Sequence, residues 1–227
     1  MSDLTKTPVR LSRPTLLLGL IGLALAGAAS LWFVLPAAWS DASTLSARTT
    51  VNEWRLGIRP ALSIALWEST RDQLQAALGT TPGNAQLYED LGFVHAARSQ
   101  GLGRVLLGST DHTLQRTLME QAAVHFRAAA GLRPTFPYSW TYLALSKHYL
   151  DQHDDEFWAA YDHALHYGRN EAALQNAIAD MAFGLWPQLG PQRQQTIALM
   201  IAAAKETSRK SLQDRAKNAG IKFPTPQ

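Results

Sequence analysis

The sequence predicts an all-α protein: an N-terminal transmembrane helix followed by an α-solenoid of helical hairpins. Three observations carry that expectation. Thr15–Leu35, "TLLLGLIGLALAGAASLWFVL", is 21 residues long and uncharged. Beyond Pro36, apolar residues recur at helical spacing, and no period-two segment reads as a strand. Proline and glycine then interrupt the helical pattern at "GTTPGN", "GLRPTFP" and "GLWPQL", each time with a new helical pattern soon after.

The first element is the apolar run. As a helix it spans roughly 31 Å at ~1.5 Å per residue, enough for a hydrocarbon layer of ~30 Å. Lys6, Arg10 and Arg13 precede it. They predict that residues 1–14 stay in the cytoplasm and that the remainder crosses the membrane, as a single-pass protein with an exported C-terminal domain. Trp32 and Trp39 suit the far interface. The small residues of "ALAGA", Ala24–Ala28, admit a cleaved signal peptide as the rival reading. The apolar run continues past them through Leu35, longer than the ~7–15 residues of a signal core, and favours an uncleaved anchor.

A juxtamembrane helix or linker occupies 36–59, with a polar helix near Asp41–Leu56 that ends at Gly57. A repeat domain follows over 60–207. Its expected helices are Pro60–Leu78, Ala85–Arg98, Asp111–Ala130, Tyr138–Leu150, Asp155–Tyr167, Glu171–Leu185 and Pro191–Thr207. Residues 208–227 read as a basic, partly disordered tail, frayed from Lys222 onward.

The spacing within 60–207 is that of tetratricopeptide-like hairpins. Tyr88, Leu91 and Gly92 fill the slots of a first helix; Ala122, Phe126 and Ala129 fill those of its partner, and Pro134 closes the unit. Trp140, Leu143 and Ala144, then Tyr161 and Ala164, repeat the pattern. Leu74, Ala77 and Pro82 make a closing half-repeat, and Gln175, Ile178, Ala179 and Ala182 a degraded third unit. Small residues let paired helices approach, and Trp140 should be buried in the seam between hairpins. Pro82 and Pro134 are 52 residues apart, against about 34 for one unit. The excess sits in an insertion at about 99–117, with Gly101, Gly103 and Gly108 loop-like and Thr110 or Asp111 as the next N-cap.

Composition narrows the function. Of 227 residues, 46% are hydrophobic and 17% charged, enough to bury a core. The absence of cysteine excludes disulfides, thiolate metal sites and a cysteine nucleophile. The net charge of +3 comes from the two ends, the second carrying Lys205, Arg209, Lys210, Arg215, Lys217 and Lys222. The body between is slightly acidic, so nucleic acid is not an expected partner.

No phosphate-binding loop, nucleophile elbow, zinc-protease motif or calcium loop occurs, and the protein reads as a non-enzyme without metal or other cofactor. The densest chemical cluster is "KHYLDQHDDEFW", with His148, Asp151, His153, Asp154, Asp155 and Glu156. It could ligate a metal. A turn in which Asp154 or Asp155 caps the next helix explains the same residues better. His163 and His166 read as a surface pair. Repeat scaffolds bind partners on the concave face lined by first helices, which here should present Glu89, Phe93, Tyr138, Thr141, His148, Asn176 and Asp180.

Three stretches in this order carry a family resemblance: the membrane helix, then "LQAALGTTPGNAQLYEDLGFVHAAR", then the segment from "AAVHFRAAAGLRPTFPYSW" to "GLWPQL". Over roughly 15–205 the chain resembles the VpsP-like polysaccharide biosynthesis proteins, most specifically at Leu132-Arg133-Pro134, Pro137-Tyr138-Ser139-Trp140 and Gly184–Leu189. The resemblance implies a membrane-anchored helical accessory protein of bacterial exopolysaccharide biosynthesis or export, with protein components of that machine as partners. It carries over no catalytic residues. The alternatives are an assembly factor for another envelope complex (cytochrome or pilus biogenesis), or a glycan binder or enzyme using His148–Glu156.

Overall fold

In the computed structural model, residues 13–58, 63–105 and 112–224 are described. They form helices and connecting turns, with no strand among them. The chain divides into two compact units, Met1–Ser43 and Thr44–Gln227.

Helix α1 (Arg13–Arg55) begins in the first unit. Leu17, Leu18, Leu20, Ile21, Leu23 and Leu25 are all exposed, as are Trp32 and Trp39. Among the described residues this is the one helix long and apolar enough to cross a membrane. The Ser30 hydroxyl donates to the Ala26 carbonyl at 2.8 Å, the usual way to satisfy a hydroxyl in an apolar helix. The helix continues through Pro36, so the separate juxtamembrane helix expected within 36–59 does not exist. Proline removes one backbone donor, and the helical residues on both sides carry the helix across that gap.

The second unit takes up the last turns of α1. Ala47, Val51 and Trp54 are buried in one cluster with Leu74, Ala77, Leu87, Leu91 and Val94. These turns therefore belong to the domain core and not to a linker. The helix ends where Gly57 turns to φ 68° and the Ile58 N–H returns to the Glu53 carbonyl at 2.9 Å.

The remaining helices are α2 (Ile64–Thr80), α3 (Ala85–Val105), α4 (Thr113–Leu132), α5 (Pro137–Tyr149), α6 (Asp155–Gly168), α7 (Ala172–Gly184), α8 (Pro191–Ala203) and α9 (Glu206–Asn218). From α2 onward each packs against the next in chain order, and α7 also meets α5 and α9. Local chemistry sets the starts: Ser63 caps α2 by accepting from the Leu66 N–H at 3.3 Å, and Pro137 and Pro191 open α5 and α8. The expected N-cap at Thr110 or Asp111 lies outside the described residues, as does Pro60.

Packing explains the close-contact residues. A Cβ at Gly92 would lie 2.7 Å from the Phe126 ring, so α3 and α4 approach as near as a glycine permits. Phe126, Leu143, Phe157, Tyr161, Leu174 and Ile178 are almost fully buried in the larger core cluster. Phe93 packs against both clusters and joins them.

Three further expectations change. The insertion at 99–117 is helical through Val105: α3 runs on past Gly101 and Gly103, whose cost of ~1 kcal/mol each is met in part by the buried Ser99, which donates to the Gln115 carbonyl of α4 at 2.8 Å. The tail at 208–227 is ordered over α9, which buries Leu212 and Ala216 and ends at Gly220 with φ 69°. Phe223 beyond it meets Trp186 edge-on, 5.7 Å between ring centres. Trp140 is half-buried and not sealed in a seam: its ring stacks on His163 at 4.4 Å, and its indole N–H donates to the Pro134 carbonyl at 2.8 Å. The buried neighbours are Ser139, Thr141, Leu143 and Ala144, so trimming Trp140 costs less than the ~3–5 kcal/mol of a fully buried aromatic.

Candidate functional site

α3 and α5 bring together a strip of half-buried rings. Phe93 meets Tyr142 at 6.3 Å, Tyr142 meets Tyr138 at 6.4 Å, and Tyr138 stacks on Phe136 at 5.2 Å. A guanidinium closes each end: Arg55 lies over Phe93 at 5.0 Å, and Arg133 over Phe136 at 4.1 Å.

Glu89 holds both ends from inside. Its Oε2 accepts from Arg133 at 2.9 Å and from the Ser139 hydroxyl at 3.0 Å, while Oε1 lies 3.6 Å from Arg55. Beside it, Asp90 accepts from Arg55 at 2.8 Å and from Gln86 at 3.0 Å. Burial pushes the Glu89 carboxyl above its ordinary value, against the pull of Arg55, Ser139 and Arg133. Burial likewise raises the Tyr142 phenol. The result is an aromatic strip flanked by partly exposed cations, suited to holding an apolar or aromatic segment of a partner.

Of the residues expected on the concave face, Phe93 and Tyr138 lie on this strip, linked through Tyr142. Glu89 and Thr141 do not present themselves to a partner: both are buried, and Thr141 donates to the Pro137 carbonyl at 2.8 Å. They fall at the register position of a first helix that here faces neighbouring elements. Asn176 and Asp180 are on α7 and are engaged by Arg215 of α9, which donates to Asn176 at 3.1 Å and ion-pairs with Asp180. His148 belongs to another cluster, its Nδ1 3.0 Å from His153 Nε2. Burial and then His153 lower its pKa. Nothing in the sequence placed Arg55, Asp90, Arg133 or Tyr142 at the site. Arg55 comes from a segment read as linker, and only the fold shows what it meets.

The acidic turn is structural in its geometry. Asp154 caps α6 by accepting from the Phe157 N–H at 3.0 Å, and the buried Lys147 donates to Asp154 at 2.9 Å and to Glu156 at 2.8 Å. Arg127 joins through Glu156 and, with Lys147, holds that carboxyl down to about 2. Asp151 takes the left-handed turn position, φ 57°. Among the described residues, no three His, Asp or Glu side chains are grouped as metal ligands.

A second histidine pair bears on stability. His95 is buried and stacks on His125 at 5.4 Å, with Trp67 edge-on at 5.8 Å. Its Nδ1 is buried without a hydrogen-bond partner. Burial, reinforced by His125 and Arg71, pushes the His95 imidazole down to about 4. The folded state thus favours the neutral ring. The contribution of His95 is fully present above about pH 6.5 and is lost as pH falls toward about 4, roughly 3 kcal/mol for this group. Glu156 acts lower, losing its contribution only as pH falls from 4.5 toward about 2. Thermal unfolding of the full chain at pH 7 and pH 4.5 should show the drop, and His95→Leu should reduce it, leaving the part that His125 and His148, also held neutral by burial, contribute.

No family model matches the chain, and no curated protein matches it.

Proposed function

We propose that the protein is a membrane-anchored, tetratricopeptide-like adaptor that captures a protein component of a bacterial exopolysaccharide biosynthesis or export machine. The observation that carries this reading is the strip Phe93–Tyr142–Tyr138–Phe136 with its bracketing arginines. Aromatic and arginine side chains are the groups that most often dominate interface energy. The close Gly92–Phe126 approach and the packing of helices in chain order support the repeat architecture. The likeness of the chain to VpsP-like proteins supports the pathway. Lys6, Arg10 and Arg13 before the apolar helix support a cytoplasmic N-terminus and an exported domain. Anchoring raises the effective concentration of the domain at the membrane, so a modest interface is sufficient.

The test is a deletion strain complemented at matched protein levels, with polymer secretion and pull-down from detergent-solubilised membranes as readouts. Phe93→Ala with Tyr138→Ala should abolish capture and secretion while the helical content stays. Asp154→Asn with Asp155→Asn should leave both intact, because asparagine still caps α6 and Glu156 still pairs Lys147. Secretion lost in the acidic-turn variant and kept in the aromatic variant would overturn the adaptor reading.

A further inference from the structure

At the aromatic strip the carboxylates lie inside and the guanidiniums outside. The Glu89 and Asp90 side chains are 6% and 2% exposed, whereas their partners Arg133 and Arg55 are 31% and 24% exposed. A ligand arriving from solvent therefore meets the positive side of these pairs. Arg48, itself 37% exposed, adds a third guanidinium 3.7 Å from Asp90. Arg55 and Arg133 both reach the one Glu89 carboxyl, so a single short segment spans them.

The hydrogen-bond donors favour the same sign of ligand. Arg55 and Arg133 reach the buried carboxylates through Nη2. The Nε of each is buried without a hydrogen-bond partner among the described residues, and neither Nη1 bonds to a described residue. A guanidinium has five N–H donors and no acceptor, so both arginines keep donors to spare. The strongest bonds they can add are charge-assisted ones to an incoming carboxylate.

The rings decide between an acidic peptide and an acidic sugar. Phe93 lies under Arg55, and Phe136 carries both Arg133 and the stacked Tyr138 ring. Tyr142 meets Phe93 at 69° and Tyr138 at 50°. A pyranose stacks on an open ring face, which these rings do not offer. Angled, half-buried rings instead form crevices that take an apolar side chain. We propose that the partner segment recognised by this strip is acidic as well as apolar, with a carboxylate held by Arg55 and Arg133 beside an apolar side chain set among Phe93, Tyr142 and Tyr138. This inference rests on the reading of the strip as the partner site. Basic segments are excluded by repulsion from the same arginines.

The experiment holds the full chain in phosphatidylcholine nanodiscs and selects from a display library of random peptides. Selected peptides should be enriched in Asp or Glu next to Leu, Phe or Trp, and depleted of Lys and Arg. In the tightest binder, changing its acidic residue to the matching amide should weaken binding about tenfold or more, as loss of a charge-assisted hydrogen bond implies. In Arg133→Gln the same peptide change should cost less. The amide change is made on the peptide, so it decides the question even where that variant fails to fold. Phe93→Ala with Tyr138→Ala should abolish binding of the selected peptides. Peptides that need Phe93 and Tyr138 but show no acidic bias, or a basic one, would overturn the charge assignment and leave the adaptor reading standing. Peptides indifferent to Phe93→Ala with Tyr138→Ala would remove the strip as the partner site, and both readings with it. A selection that enriches no peptide, or displacement of the tightest peptide by an equal concentration of a galacturonic-acid trimer, would overturn the peptide assignment.

Discussion

Phe126→Ala should destabilise the helical domain by about 3–5 kcal/mol, the range for emptying a buried aromatic site. Phe126 is 1% exposed, and its ring fills the space that Gly92 leaves between α3 and α4. The same contact makes Gly92→Ala costly. A new Cβ would meet the ring at 2.7 Å, closer than real contacts allow, and Phe126 has no free end to swing away. Overpacking of this kind costs about 1–3 kcal/mol. The two changes are coupled. In a Phe126→Leu background the smaller side chain makes room, so Gly92→Ala should cost less than it does alone. Unfolding of the full chain followed by circular dichroism measures all four proteins. Strictly additive losses would show that Gly92 and Phe126 do not form the seam of this hairpin.

Glu89→Ala should cost a comparable amount, about 3–5 kcal/mol, for an electrostatic reason. The carboxylate is buried and is the shared anion for Arg133 and Arg55. Its removal leaves Arg133, among the described residues, stacked on the Phe136 ring without its anion, while Arg55 keeps Asp90 at 2.8 Å. Glu89→Gln retains an acceptor for Ser139 and should lose less. The order, alanine worse than glutamine, separates a loss of charge and hydrogen bonds together from a loss of charge alone. Because Glu89 positions both arginines that bracket the aromatic strip, partner capture should weaken in the glutamine variant even where folding survives. Equal stability of wild type and Glu89→Ala would remove the carboxylate from the fold's supports and the arginines from the site.

Much of the framework was legible from local signals. Uninterrupted apolarity marked the membrane-length helix near the N-terminus, because crossing a hydrocarbon layer demands length and apolarity and nothing else. Gly131, Pro134 and Pro137 marked the stop of one helix and the start of the next, because proline acts on its own backbone and its immediate neighbours. Asp154 was legible as a cap for the same local reason. Gly92 was legible as a residue that lets two helices approach; that the Phe126 ring is what it meets, only the fold shows.

Tertiary structure decided what depended on distant partners. The last turns of α1 looked polar enough for a linker, yet Ala47, Val51 and Trp54 are core, because α2 and α3 offer them an apolar surface. A helix at 206–218 rests on the two buried residues Leu212 and Ala216, too weak a stripe to recognise without α7 and α8 beside it. At the site, Phe93 and Tyr138 could be placed on one face by register, but register alone also put Glu89 and Thr141 there. Helical periodicity assigns a side chain to a face. Whether that face meets solvent, an arginine or another helix depends on residues tens of positions away, such as Arg133, 44 residues from Glu89.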